Sequence, residues 1–187
     1  MSTEMTFHRS IVYIQRKIHD ILETVSIEEI KQVKALFLQA NRIFVYGAGR
    51  SGLVAKAFAV RLVHLGFQTF VIGETITAPV QKGDLVVIVS GSGETIPAVM
   101  TAEIAHDIGA SVISITGKKR SNIAQYADVT LFIAAACNDA ERKQFAPLGT
   151  LFEASVWILL DGLIAELLHS KYETEESMRQ RHATLQQ

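Results

Sequence analysis

The chain has few of the residues that crosslink or interrupt a fold. Cys137 is its one cysteine, so no disulfide can form within the chain. Only 3 of its 187 residues are proline, and it has no low-complexity tract. We also find no internal repeat at the spacing of roughly 20–50 residues that marks solenoids and propellers. We therefore expect one domain, spanning residues 1–187, without an internal linker.

Excess charge and long apolar runs are lacking as well. The net charge is -1, which provides no basic surface for nucleic acid. No apolar run reaches the ~20 residues that a membrane-spanning helix needs. Residues 1–9 lack the charged and apolar regions of a signal peptide. We therefore expect a cytoplasmic protein that binds neither nucleic acid nor membrane.

Apolar residues, at 49%, are abundant enough for a full core. Short, uninterrupted apolar segments alternate with stretches of helical periodicity, and these segments cover residues 43–46, 68–72, 85–89, 111–115 and 129–133. Strands that are apolar on both faces are typical of a parallel sheet with helices on both sides. The predicted fold is a three-layer α/β/α sandwich with a flavodoxin-like, five-stranded parallel sheet.

Residues 1–40 predict a helical hairpin in front of this sheet. Apolar residues at helical spacing indicate a first helix over 4–24. Ser26 and Glu29 form a capping-box pattern at the start of a second helix, which we expect to end near Ala40. Because the hairpin precedes the first strand, we expect it to cover the α/β core or a partner subunit.

The chain after the sheet is expected to end in two helices. Within an α/β core over residues 41–170, we predict an irregular polar segment at 134–146 and a long helix at 147–169. That helix is apolar around most of its circumference, so we favour a subunit interface over a central position for it. Residues 171–187 are predicted to form a polar tail helix.

A hydroxyl-rich turn follows the third apolar segment. Residues 90–95 read Ser-Gly-Ser-Gly-Glu-Thr and lead into a predicted helix over 96–108. The first N–H groups of a helix have no intrahelical partner, and glycines allow an anion to approach the backbone. The pattern therefore favours a phosphate site. The alternative is a simple strand-to-helix turn in which Ser92 caps the helix.

A second glycine-rich turn follows the first apolar segment. Residues 47–52 match the dinucleotide pattern G-x-G-x-x-G, and Glu74 stands where such folds place an acid for the ribose. Against dinucleotide binding, Ser51 adds a hydroxyl, and no substrate domain follows. Because both turns come after parallel strands, we favour their convergence on one phosphate at a topological switch point.

These paired turns resemble those of the sugar isomerase (SIS) domain family, whose signature is Gly-x-Gly-x-Ser followed by Ser-x-Ser-Gly-Glu-Thr. The segments 73–79, 146–153 and 178–185 narrow the resemblance to the branch that interconverts 3-hexulose 6-phosphate and fructose 6-phosphate. The tail departs slightly from that branch at 184–186. The resemblance covers nearly the whole chain. It implies an isomerase serving formaldehyde fixation by the ribulose monophosphate pathway, with a role in pentose phosphate supply equally open.

The resemblance also implies the catalytic residues. Glu153 would be the base that moves a proton between C2 and C3, and apolar neighbours would raise its pKa towards a useful value. His182 would carry protons for the two sugar oxygens. The alternatives are a first-turn glutamate placed by the helix dipole and a solvated histidine in a frayed tail.

The predicted phosphate-binding and substrate-binding set is drawn from the two turns: Gly49, Arg50, Ser51, Ser90, Gly91, Ser92 and Thr95. Arg50 would neutralise the phosphate or polarise sugar oxygens, unless it is a solvated loop residue. We expect no cofactor and no metal, because the remaining histidines lack ligand spacing.

The expected partners are a phosphorylated sugar and further copies of this chain, as a homotetramer in which Glu153 or His182 enters a neighbouring subunit. Two alternatives remain open at this point. One is isomerisation of another sugar phosphate, such as arabinose 5-phosphate, and the other is a non-catalytic phosphosugar-sensing module.

Overall fold

A computed structural model of the chain describes residues 3–136 and 140–183. Its five strands are β1 (Ile43–Gly47), β2 (Thr69–Val71), β3 (Leu85–Ser90), β4 (Ser111–Thr116) and β5 (Val129–Phe132). All neighbouring strands pair in parallel, in the order β2-β1-β3-β4-β5. This is the flavodoxin-like order, with its switch point between β1 and β3. The predicted sheet is confirmed.

The helices of the described residues are α1 (Thr3–Leu22), α2 (Ile27–Gln39), α3 (Gly49–His64), α4 (Ile96–Ile108), α5 (Ala140–Phe145), α6 (Thr150–Ser170) and α7 (Glu175–Gln180). A single 3₁₀ turn, Ile123–Tyr126, precedes β5. None of these helices is long and apolar enough to cross a membrane.

The sheet separates two apolar layers of unequal thickness. On one face α1, α2, α3 and α6 share a large core, to which Phe37 and Leu167 contribute fully buried side chains. On the other face α4 packs through Ala98, Ala102 and Ala105. The N-terminal hairpin therefore covers the α/β core, as one of its two predicted placements required. Ser26 caps α2, accepting a hydrogen bond from the Glu29 N–H at 3.2 Å.

Two predicted boundaries after the sheet are wrong. Residues 140–145, predicted to be irregular, form α5. Most of them are helix-forming residues, and the last, Phe145, packs against Tyr13 with 6.0 Å between the two rings. The long helix starts at Thr150 rather than at 147. Leu148 has a positive φ of 54°, so the backbone turns there before the helix begins. Of the segment predicted to be irregular, 137–139 lies outside the described residues.

The long helix α6 is apolar mainly because it belongs to the core. Its side chains that are buried against the sheet and neighbouring helices include Leu151, Val156, Leu160 and Leu167. Trp157 and Ile158, on its outer side, remain about half exposed. The predicted subunit contact of this helix therefore concerns its outer side only and stays a prediction.

Helix α3 begins at Gly49, inside the glycine-rich turn. This is possible because β1 and α3 touch backbone to backbone. A Cβ on Gly52 would lie 2.5 Å from the carbonyl oxygen of Gly47. The glycine pattern that matches a dinucleotide motif thus serves this strand–helix contact.

We expect Gly52→Ala and Gly162→Ala to change stability in opposite directions. The first must push α3 off β1 and should lower the free energy of unfolding by about 1–3 kcal/mol. The second adds a methyl group on α6 where nothing lies within 4 Å, so it should raise that free energy by about 0.5–1 kcal/mol. Urea unfolding gives the free energy of unfolding of both variants. An equal change in the two would contradict the close contact between Gly52 and Gly47.

Candidate functional site

The two glycine-rich turns leave adjacent strands at the same edge of the sheet. Strands β1 and β3 are paired from Ile43 opposite Leu85 to Gly47 opposite Val89. The turn at 47–52 and the turn at 90–95 therefore start side by side. They lie at the switch point, where open parallel sheets bind ligands. The sheet order thus places the two turns side by side, and their convergence on one phosphate stays a prediction.

The turn after β3, residues 90–95, holds three hydroxyl groups together. Ser90 Oγ donates to Thr95 Oγ1 at 3.3 Å and accepts from the Gly93 N–H at 3.2 Å. Ser92 Oγ lies 3.4 Å from the same Thr95 oxygen. Ser92 does not cap α4, because the N-cap position is Thr95 and Ser92 accepts from the Glu94 N–H instead. Hydroxyls gathered in this way can all donate to one oxyanion.

Two glycines of this turn allow neighbouring elements to approach it. A Cβ on Gly91 would lie 3.1 Å from the ring of Phe152, at the start of α6. Gly93 has a φ of +67°, and a side chain there would overlap Ser121. The start of α6 is thereby held directly against the hydroxyl-rich turn.

In the turn after β1, Gly49 has a φ of +57° and leads into the first turn of α3. Ser51 lies in that first turn and is mostly buried. Its place at a helix N-terminus puts it among backbone N–H groups that have no intrahelical partner. The structure therefore brings Gly49, Arg50 and Ser51 to the same edge as Ser90, Gly91, Ser92 and Thr95.

Arg50 forms an ion pair with Glu153. Its Nε donates to Glu153 Oε2 at 3.0 Å. The carboxylate side chain is only 14% exposed, whereas that of the arginine is 67% exposed. The predicted wholly apolar neighbourhood of Glu153 is wrong, since Arg50 reaches it from the first turn of α3. Gly149 adds to this setting, because a Cβ there would lie 2.6 Å from Glu153 Oε1.

A cleft of about 480 Å³ between α3 and α6 opens beside this ion pair. Arg50 and Glu153 form its polar end, and Trp157 and Ile158 line its apolar part. The cleft has room for a small sugar. Its outer wall is open to solvent.

His182 lies at the other end of α3. Its ring is 5.1 Å from the ring of His64, the last residue of that helix. A rise of ~1.5 Å per residue puts about 20 Å along the helix between Ser51 and His64. Within one chain the structure therefore brings Glu153 to the phosphate turns and leaves His182 away from them.

The sequence profile of the SIS domain matches residues 36–155. The chain belongs to the SIS domain family.

Close relatives of this SIS domain carry the name 3-hexulose-6-phosphate isomerase. The protein of Methylomonas aminofaciens is 40% identical, with 83% of this chain and 86% of the relative covered. The protein of Bacillus subtilis is 36% identical, with 94% of this chain and 97% of the relative covered. A crystal structure from Methanococcus jannaschii, from which the same activity was inferred, matches with a TM-score of 0.83 at 31% identity, covering 95% of this chain and 99% of that one. The chain is therefore an isomerase.

The C-terminal tail of the chain is held by residues that the sequence analysis did not single out. Arg181 Nη1 and Nη2 each donate to a different oxygen of Glu173, both at 2.9 Å. Arg181 and a hydrogen bond from Ser177 hold the pKa of the Glu173 carboxyl at about 2, below its ordinary value of 4.5. No local pattern could have revealed this pair, because Glu173 reads as one more acid in a polar tail.

His64 is the second residue that sequence reasoning missed. It is buried at 9% exposure, and burial lowers its pKa, as do the neighbouring charges of His182 and Arg61. The two histidines are far apart in the chain, so only the docking of the tail brings their rings together. Up to Ala183, the described part of the tail packs against the end of α3, and the role of His182 stays a prediction.

We expect the Glu173 pair to make the protein sensitive to acid. A carboxyl whose folded pKa is about 2 and whose ordinary pKa is 4.5 stabilises the fold fully above pH 4.5 and loses this contribution as the pH falls towards 2. In Glu173→Gln this contribution is absent, so its stability should fall less steeply than that of the wild type over that window. Urea unfolding at several pH values gives the free energy of unfolding of both proteins. If it falls equally steeply with pH in both, the pairing is contradicted.

Proposed function

We propose that this isomerase interconverts D-arabino-3-hexulose 6-phosphate and D-fructose 6-phosphate. The observation that carries the proposal is the mostly buried carboxylate of Glu153, 3.0 Å from Arg50 and beside two phosphate-type turns. The relatives named 3-hexulose-6-phosphate isomerase support the choice of substrate. The setting would be the ribulose monophosphate pathway in the cytoplasm.

The substrate itself dictates what the site must do. Because the carbonyl moves from C3 to C2, a base must remove the proton on C2 and return it to C3 through an enediol. With O6 phosphorylated and the carbonyl at C3, no five-membered hemiketal can form, so the 3-keto sugar is open-chain. One carboxylate near both carbons and one proton carrier for O2 and O3 are sufficient.

The two turns hold the phosphate. Ser51, Ser90, Ser92 and Thr95 supply hydroxyls, and the first N–H groups of α3 and α4 supply further donors. This anchors one end of the sugar and leaves its reacting carbons to extend into the cleft beside Glu153. The turns take no part in the proton transfer.

Glu153 is the base, and Arg50 is its partner before the substrate arrives. An arginine this exposed can turn towards the incoming phosphate or sugar oxygens. When it does so, the carboxylate loses its ion pair and is free to accept a proton. Substrate binding and activation of the base would thus be linked through one guanidinium group.

His182 of the partner subunit completes the site. Helices α3 and α6 run side by side in the same direction, with Arg50 near Glu153 at one end and Arg61 near Asp161 at the other. Their outer side carries exposed apolar residues, Leu53 and Trp157 among them. A two-fold partner packed there in the opposite direction would bring its tail to the Arg50 end. In this arrangement His182 of the partner subunit would stand near Glu153, although the two residues lie at opposite ends of α3 within one chain.

A second apolar face supports the predicted tetramer. Helix α4, on the opposite layer, exposes residues four apart along its outer side: Ile96, Met100, Ile104 and Ile108. Exposed apolar stripes of this kind mark contact surfaces. Two distinct faces, each paired by a two-fold axis, are what a tetramer built from dimers requires.

We expect Glu153→Gln to lower kcat by about 10²–10⁴, the contribution of a general base. Binding of fructose 6-phosphate should persist, because the two turns remain intact. In deuterated water, NMR should show label at C3 of fructose 6-phosphate with the wild type and not with the variant. Glu103→Gln, which removes a carboxylate from the opposite layer, is the control.

Other outcomes of that experiment identify the alternatives. Label at C1 would indicate an aldose–ketose isomerase of another sugar phosphate. Binding without any exchange by the wild type would indicate a phosphosugar-sensing module. Turnover by Glu153→Gln near the wild-type rate would contradict the assigned base.

Mixing two inactive variants tests the shared site. If His182 is supplied by the partner subunit, mixed assemblies of Glu153→Gln and His182→Asn contain some sites with both native residues. We expect activity to reappear after co-refolding, at up to about a quarter of the wild-type rate for random pairing in dimers. Co-refolding each variant with itself is the control, and a mixture as inactive as its parents would show that each site is built from one chain.

A further inference from the structure

The chain segment that carries His182 is pinned at the residue immediately before it. Arg181 donates through both terminal nitrogens to the two oxygens of Glu173, at 2.9 Å each. This two-point geometry gives the ion pair a defined direction as well as strength. Glu173 precedes α7, so the pair joins the two ends of this short helix.

Arg181 also ties the tail to α3. Its Nη1 donates to the carbonyl oxygen of His64 at 3.1 Å. The guanidinium lies against Gly66, where a Cβ would come within 3.2 Å of its central carbon. The position of residue 181 is therefore fixed relative to both α3 and the start of α7.

His182 itself has little that would hold it. Its Nδ1 lies 3.4 Å from the carbonyl oxygen of Ala183, and its ring lies beside that of His64. Neither contact is a strong hydrogen bond. The placement of the imidazole therefore depends on the backbone at Arg181.

We propose that the Glu173–Arg181 pair is a positioning device for His182, which sets the catalytic rate without contacting the sugar phosphate. The inference rests on the proposed role of His182 as proton carrier. A proton carrier must stand within hydrogen-bond reach of its oxygen, and a displacement of about 1 Å can cost up to about 100-fold in rate. An anchor one residue away restricts such displacements directly.

The tail has other anchors besides this pair. Helix α7 is held by the buried side chain of Met178 and is capped by Thr174 and Ser177, whose side chains bond reciprocally to each other's backbone N–H. These contacts lie before Arg181 in the chain. The bidentate pair adds a constraint at the end of the tail, where His182 stands.

Arg181→Gln should lower kcat by about 10- to 100-fold and leave KM for fructose 6-phosphate nearly unchanged. Arg181→Lys should recover only part of the loss, because an ammonium group cannot make the two-point contact. Arg179→Gln is the matched control, since it removes the same charge from α7, where Arg179 pairs with the exposed Glu175 and Glu176. Glu173→Gln provides a second variant with the opposite charge change, in case Arg181→Gln does not fold.

The decisive measurement repeats these substitutions on a His182→Asn background. If the pair acts through His182, Arg181→Gln should have no further effect on kcat there. The inference would be overturned if Arg181→Gln lowered kcat by the same factor in the wild type and in His182→Asn. It would also be overturned if kcat were unchanged in both Arg181→Gln and Glu173→Gln. Full activity of His182→Asn alone would instead contradict the proposed function, so the two failures are distinguishable.

Discussion

The parallel pairing of β1 with β3 is the constraint on which the site depends. Their hydrogen bonds run from Ile43 beside Leu85 to Gly47 beside Val89, so both strands end at one level. Each strand is then followed by a turn and a helix, and the first N–H groups of a helix have no intrahelical partner. A phosphate that met only one turn would have half of these donors.

A second constraint is the close approach of neighbouring elements around this pair. Gly47 and Gly52 let α3 press against β1, and Gly91 lets Phe152 reach the turn after β3. The start of α6 thereby arrives beside both turns and brings Glu153 to within 3.0 Å of Arg50. Glycines at these points serve packing first, and the geometry of the site follows from that packing.

The two ends of α3 have different chemical characters. One end gathers hydroxyls, backbone donors and the Arg50–Glu153 pair, and the other gathers His64, His182 and the Glu173–Arg181 pair. The rigid helix keeps them apart within the chain, because no bend of a continuous α-helix could close that distance. If both ends serve one reaction, the assembly of subunits has to join them.

The sequence by itself determined the sheet, its turns and the family, since these rest on local signals. Apolar segments predict strands, and Ser90 to Thr95 is a contiguous motif. The boundaries of α5 and α6 were mispredicted, because packing of Phe145 and a turn at Leu148 decide them. Only the tertiary structure decided that Arg50 meets Glu153, and that Arg181 holds the tail beside His64. Such contacts join residues far apart in the chain, and their energies depend on distances that no local pattern encodes.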